Sequence, residues 1–298
     1  MKQQAGFHQP VRRVGQGAIL LCAVLWSTSG LFIKLIDWHP ILIAGSRSLV
    51  AVLVLGIVRI VCRRRRRGVR GKFRYVLAGG IAYATTMISF VTANKLTASA
   101  NAILLQYSAP VWAALLGWFF IREKPHWEHW AALLMVMGGL LLFFKDGLAG
   151  GSILGDGLAL FSGIAFGANS VFLRIQKEGN PADSMFLAQL FTGAFSIPFF
   201  FIYPPCINPA NVGCILFMGV FQIGAASLLF AYGIKRVPAV QAMLTAAIEP
   251  ILNPIWVLLV TGEKPSLSAI LGGGIIIAAV VLSSCIGKRR ELRLNTVP

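Results

Sequence analysis

Ten apolar runs of about 18–22 residues constrain this chain more than any other feature. They lie near 17–36, 41–61, 75–93, 98–121, 127–144, 154–174, 184–203, 212–232, 238–260 and 266–286. Each is long enough to cross the hydrocarbon core of a bilayer as a helix. Inside hydrocarbon every backbone donor and acceptor must be satisfied within the helix. Short polar links such as Asp37–Pro40, Arg122–Pro125 and Gly262–Pro265 therefore imply a tight helical bundle. The least marked breaks, at 94–98 and 235–238, hold only a few polar residues. Composition agrees: 57% of the 298 residues are hydrophobic and 12% charged, against about 25% charged in an ordinary soluble domain. A soluble globular protein, a disordered chain and a coiled coil are excluded.

The 27 Lys and Arg against 10 Asp and Glu give a net charge of +17. In a soluble chain that balance would suggest a nucleic-acid partner. Its placement says otherwise. With the N-terminus in the cytoplasm, ten spans return the C-terminus to the same side, and 22 of the 27 basic residues fall on cytoplasmic segments. Only Lys95, Lys145 and Lys264 fall outside, and Lys34 and Arg47 lie within spans. This is a positive-inside pattern, expected of a multi-pass protein of the cell (bacterial inner) membrane with both termini cytoplasmic. The run Arg63–Arg67 reads as an anchor on anionic lipid headgroups. No nucleic-acid partner is expected, because no soluble domain presents the patch.

The chain repeats itself at an offset of 140 residues. Phe90, Lys95, Ala102, Leu104, Pro110, Glu123, Lys124 and Pro125 fall on Phe230, Lys235, Ala242, Leu244, Pro250, Glu263, Lys264 and Pro265. Trp26 falls on Phe166, Phe32 on Phe172, and Lys34 on Arg174. The first span, which Arg12 and Arg13 precede as in a signal peptide, is thus the counterpart of the sixth and is expected to be retained. The expected organisation is a cytoplasmic tail 1–16, one five-helix unit over 17–144, a second over 154–286, and a cytoplasmic tail 287–298. Five is odd, so the second unit would cross the membrane in the opposite sense. The expected fold is an all-α integral membrane protein with ten transmembrane helices in two inverted five-helix repeats. That design is typical of secondary transporters.

The motifs Ala93-Asn94-Lys95-Leu96, Pro110 and Gly117…Glu123-Lys124, repeated as Ile234-Lys235-Arg236, Glu249-Pro250 and Gly262-Glu263-Lys264, resemble the EamA family of the drug/metabolite transporter superfamily. The resemblance covers about residues 15–287. It implies a central cavity lined mainly by spans 1, 3, 4, 6, 8 and 9, with spans 5 and 10 peripheral. It also implies transport of amino acids and other metabolites, in known relatives outward.

Glu249 stands near the middle of span nine, and an ionisable group at membrane depth is a functional candidate by default. Proton coupling or recognition of a substrate amine would suit it. Bonding to carbonyls freed by Pro250 is the structural alternative. Gln241, Thr245, Glu249 and Asn253 recur every four residues and form one polar stripe. Asn101 aligns with Gln241 through the repeat. Cys22, Trp26 and Ser29 map onto Ser162, Phe166 and Asn169, and aromatic-plus-polar faces suit small organic solutes. Tyr83, Gln106, Tyr107, Gln222 and Tyr232 complete the candidate cavity lining, with interhelix hydrogen bonding as the alternative. Pro110, Pro250 and Pro254 are expected helix breaks. Arg47 could bind an anion, pair with Asp37, or snorkel to the surface.

No cofactor, metal or enzymatic role is expected. His126 and His129, with Glu123 and Glu128, lack a ligand frame. Ser, His and Asp do not converge at membrane depth, and no phosphate-binding loop is present. Cys206 and Cys214 flank one expected external loop, where either a disulfide or two free thiols could stand. The expected partners are a small-molecule substrate and membrane lipids. The alternative is a non-transporting membrane scaffold or lipid-interacting partner protein, which would have a solid apolar core between its halves.

Overall fold

A bilayer gives an apolar backbone no water to bond, so the apolar runs can satisfy their peptide groups only as helices. The computed structural model describes residues 9–28, 32, 35–61, 73–97, 99–143, 145, 152–261 and 267–295, with the side chains at 9–10, 94–95, 99–100, 253–254, 257–258, 260–261, 269 and 283–295 outside the description. Its elements are α1 (Gln9–Ser27), α2 (Pro40–Val61), α3 (Phe73–Leu96), α4 (Ser99–Gln106), α5 (Ala109–Ile121), α6 (Trp127–Phe143) and α7 (Ile153–Ile175). There follow α8 (Ala182–Ile202), α9 (Pro209–Phe217), a π-helical segment Met218–Ala225, α10 (Ala226–Ile234), α11 (Ala239–Ala246), α12 (Glu249–Thr261) and α13 (Leu267–Asn295). No strand occurs among the described residues.

Six stretches are long and apolar enough to cross a membrane: Pro40–Val61, Phe73–Ala93, Asn101–Ile121, Ile153–Ile175, Ala182–Ile202 and Pro209–Ile234. Trp127–Phe143, Ala239–Leu252 and Ile270–Leu282 are shorter apolar helices. The chain is an all-α, multi-pass helical bundle. Leu53, Ile60, Phe119, Leu134 and Phe201 turn outward and are largely exposed, as side chains against lipid must be. Helix reaches into both expected tails. α1 is helical from Gln9, and α13 runs on to Asn295 through Lys288, Arg289, Arg290 and Glu291. Those residues are good helix formers in water as well as at an interface.

Two of the expected spans are discontinuous. Between α4 and α5, Tyr107 and Ser108 form a turn, and Pro110 stands in the first turn of α5. Between α11 and α12, Ala247 and Ile248 form the turn, and Pro250 is the second residue of α12. Proline lacks an N–H, so the first turn of a helix suits it. The two prolines thus open a second half-helix and do not kink a continuous one. The Pro254 side chain lies outside the described residues.

The principal helix contacts join the first half of the chain to the second. α1 packs on α10, α11 and α12, while α7 packs on α3, α4 and α5. α2 packs on α8 and on the π-helical segment, and α8 packs on α2 and on α3. α5 meets α11, and α6 pairs with α13. In the α6–α13 pair a Cβ on Gly139 would lie 3.0 Å from the Gly272 carbonyl oxygen, and one on Gly272 would lie 2.5 Å from that of Gly139. Only residues without a side chain allow the two backbones to approach so closely.

Candidate functional site

The middle of the bundle is built from aromatic rings supplied by four helices. Trp26 of α1 meets Phe166 of α7 edge-on at 5.8 Å between centroids and Phe230 of α10 at 5.3 Å. Phe166 stands 6.0 Å from Tyr83 of α3 and 6.3 Å from Phe230. Trp26, Tyr83 and Phe230 are buried. Trp26 and Phe166 are the pair that the 140-residue offset matches, and they meet directly. Such edge-on and tilted pairs contribute about 0.5–1.5 kcal/mol each beyond area burial.

This aromatic centre carries polar atoms without partners. The Trp26 Nε1, both amide atoms of Asn169 and the Ser227 Oγ are buried and have no hydrogen-bond partner among the described residues. Asn169 and Ser227 each stand three residues from a ring of the cluster, Phe166 and Phe230, and so share its helix face. An unsatisfied buried polar group costs about 1–3 kcal/mol. A centre selected only for packing would have apolar groups there, so these atoms fit contact with a polar solute or water. A shallow groove among the described residues lies elsewhere, between α2, α3 and α8. It is lined by Ile41, Ala44, Ile88, Val91, Thr192 and Phe195.

The two helix breaks bring the next constellation together. The Tyr107 hydroxyl, in the α4–α5 turn, donates to Glu249 Oε2 at 2.8 Å, at the first residue of α12. Glu249 therefore bonds a side chain across the bundle. Arg47 neither pairs with Asp37 nor snorkels. It is buried, and its Nη1 donates to Gln222 Oε1 at 3.2 Å. Its Nη2 lies 4.0 Å from the Met87 sulfur. Met87 is one turn beyond Tyr83 on α3 and packs on the cluster that holds Trp26 and Tyr83.

The remaining candidates are distributed along the bundle. Gln241 is buried and its Oε1 accepts from Arg12 Nη2, at the end of the bundle where α1 begins. Thr245 is buried, with its hydroxyl donating to the Gln241 carbonyl at 2.8 Å. Asn101 Nδ2 reaches Thr97 Oγ1 at 3.5 Å, and Thr97 Oγ1 donates to Asp156 Oδ1 at 2.6 Å. The repeat-related Asn101 and Gln241 thus stand beside the first turns of α7 and α1. Gln106 is half-buried at the end of α4, where its carbonyl lies against Gly163 of α7. Tyr232 is exposed under the Arg236 guanidinium, 3.4 Å from its ring centre, and is not part of the cluster. Ser29 lies outside the described residues, as does the side chain of Asn253. Arg63–Arg67 and Lys34 lie outside them too. Cys206 and Cys214 are both free thiols. His126 and His129 stack on one another, and no metal-ligand group occurs among the described residues.

One end of the bundle is tied by Arg174, the last basic residue of α7. Its Nε pairs with Glu123 at 2.8 Å, and its Nη1 donates to the carbonyls of Ile234 and Lys235 at 3.1 and 2.8 Å. A cation at a helix C-terminus satisfies the last carbonyls and the dipole of α10. Lys235 Nζ donates to the Gly179 carbonyl at 2.8 Å. Partial burial, with Arg236 adjacent, holds the Lys235 ammonium below its ordinary value.

The model of the EamA-like transporter family matches this chain twice, over residues 13–145 and 153–285. The chain belongs to that family. As an EamA protein it carries two copies of one unit, and the family consists of transporters, not enzymes. An uncharacterized transporter of Archaeoglobus fulgidus is 26% identical over 279 residues, covering 91% of this chain and 96% of its own. The uncharacterized transporter YwfM of Bacillus subtilis (strain 168) is 23% identical over 287 residues, covering 92% and 94%. A crystal structure 20% identical in sequence matches with a TM-score of 0.78, covering 95% of this chain and 99% of that one, which shows that the two share a fold.

Proposed function

We propose that this EamA protein is a secondary transporter of ten spans in two inverted five-helix repeats. It moves a small metabolite, an amino acid or related amphipathic solute, out of the cell by alternating access. It sits in a bacterial inner membrane with both termini in the cytoplasm. The single observation that carries this reading is the aromatic centre of Trp26, Tyr83, Phe166 and Phe230 with its unpartnered indole, amide and hydroxyl atoms. It draws α1 and α3 from one family copy and α7 and α10 from the other. Rocking one copy against the other would open that centre to either side in turn.

The reciprocal contacts support two related units packed about a pseudo-two-fold, and the odd number of spans per unit is what would invert one against the other. α1 on α10 and α11 is the counterpart of α7 on α3, α4 and α5, as the 140-residue offset requires. The paired half-helix breaks support a central site, because discontinuous spans are where transporters expose backbone and polar groups to solute. Glu249, held by Tyr107, is the candidate for proton coupling. The unpartnered polar atoms within that centre favour the transporter over a non-transporting scaffold, which would have a solid apolar core there.

The test is flux. The purified protein, reconstituted in liposomes loaded with unlabelled amino acids, should accumulate the matching labelled amino acid by counterflow. Flux no greater than in empty liposomes across a broad metabolite panel would remove the transport reading and restore the scaffold.

A further inference from the structure

Arg47 is a cation at membrane depth with too few partners. It is only 7% exposed, about two turns into α2. Among the described residues it has no ion pair. Its one normal hydrogen bond goes to Gln222, and its Nε has no partner. A guanidinium presents donors in a planar fork that matches a carboxylate bidentately. Burying one without a counter-ion is expensive, and such residues mark substrate or ion pathways.

A second feature stands at the same place. Gln222 belongs to the π-helical segment Met218–Ala225, the only such segment among the described residues. π-helical turns are rare and occur disproportionately at functional sites. This one brings its backbone onto α2: a Cβ on Gly219 would collide with the Val50 side chain and stand 2.9 Å from the Arg47 carbonyl oxygen. The segment thereby sets Gln222 against the Arg47 guanidinium. Gln222 is itself buried, so the pair is desolvated. A neutral amide oxygen orients the guanidinium without cancelling its charge.

The position is also right. Arg47 touches Met87, and Met87 packs on the cluster of Trp26 and Tyr83. The Glu249 carboxyl, on α12, accepts from the Tyr107 hydroxyl at 2.8 Å. From this geometry we infer that Arg47, oriented by Gln222, is the carboxylate-binding element of the central site. The ligand is a small organic acid whose carboxylate meets the guanidinium and whose apolar body lies on the aromatic rings. The inference deepens the transport reading and names its substrate chemistry.

The experiment uses the full chain in detergent and matched sets of probes. One set is L-leucine, L-leucinamide, isopentylamine and isocaproate. The other is L-phenylalanine, L-phenylalaninamide, phenethylamine and hydrocinnamate. Dissociation constants are read from thermal-shift titrations. The compounds with a free carboxylate should bind about tenfold or more tightly than the amide or amine of the same body. Arg47→Gln should remove that advantage, bringing the acids down to the level of the amide and amine. Gln222→Ala, which keeps the cation but frees its orientation, should reduce the advantage several-fold and serves if Arg47→Gln does not fold. A merely structural arginine would lower the melting temperature without changing the ratio of acid to amide. The inference is overturned if amide and acid bind wild type equally, if no probe carrying a carboxylate shifts it, or if the ratio survives Arg47→Gln.

Counterflow in liposomes with the same probes separates the two readings. Arg47-dependent binding of acids without flux removes the transport reading and leaves the carboxylate site standing. Equal flux of acids and amides keeps transport and removes the site.

Discussion

At the residue scale the decisive contacts are between side chains far apart in sequence. Tyr107 and Glu249 are 142 residues apart and bonded at 2.8 Å. If Glu249 carries the coupled proton, counterflow that varies with pH in wild type should become flat in Glu249→Gln. Undiminished pH dependence in that variant would remove the coupling role. Tyr107→Phe takes away the donor and should lower stability by about 1–3 kcal/mol, seen as a fall in melting temperature. Arg174→Ala strips the Glu123 ion pair and leaves the Ile234 and Lys235 carbonyls unsatisfied. Its expected cost is about 2 kcal/mol, measured in the same way. Glu249, Trp26 and Asn169 could be singled out from sequence because each is unusual where it stands: a carboxyl and an amide at membrane depth, an indole far from either interface. Arg47 could not be assigned one role. Anchoring, pairing with Asp37 and binding an anion differ only in which way the side chain turns, and that depends on Gln222, 175 residues away. Tyr232 shows the converse. Its partner Arg236 is only four residues on, yet the sequence does not say that this face of the helix is the exposed one.

At the element scale the apolar runs located the helices because the bilayer leaves a chain no other way to satisfy its backbone. Pro110 and Pro250 marked two breaks, since a proline within an apolar run must begin or interrupt a helix. The form of the breaks was not readable: each is a turn before a fresh half-helix, set by packing against α7 and α1. The π-helical segment had no marker at all. Met218–Ala225 is as apolar as its neighbours, and only the structure shows Gly219 lying against Val50 and the Arg47 carbonyl of α2. Adjacent glycines of α6 give a test of packing with opposite signs. A Cβ on Gly138 meets nothing within 4 Å, whereas one on Gly139 would stand 2.7 Å from Ile276 Cγ1 and 3.0 Å from the Gly272 carbonyl oxygen. Gly138→Ala should be neutral or stabilising by up to about 1 kcal/mol, from the lower backbone entropy of alanine. Gly139→Ala should separate α6 from α13 and lower the melting temperature. Equal effects of the two substitutions would contradict the described α6–α13 contact.

At the scale of the whole molecule the 140-residue offset and the two family matches report the same duplication. The charge bias adds the proposed orientation. A C-terminal tag should resist protease in intact cells and be cleaved in inverted vesicles, and the reverse result would overturn it. The partner of each helix was beyond the sequence, because periodicity says which face is buried and not against what. In the structure those partners lie mainly across the midpoint of the chain. Each copy keeps few of its packing surfaces for itself. Expressed alone, residues 1–149 or 150–298 should be degraded, while the two fragments made together should assemble and be purified as a complex through a tag on either one. A lone ancestral copy would have met the same difficulty. On the proposed inverted arrangement its surfaces could be covered only by a second molecule of itself inserted upside down, so joining two genes into one chain would have turned a chance of orientation into a certainty of structure.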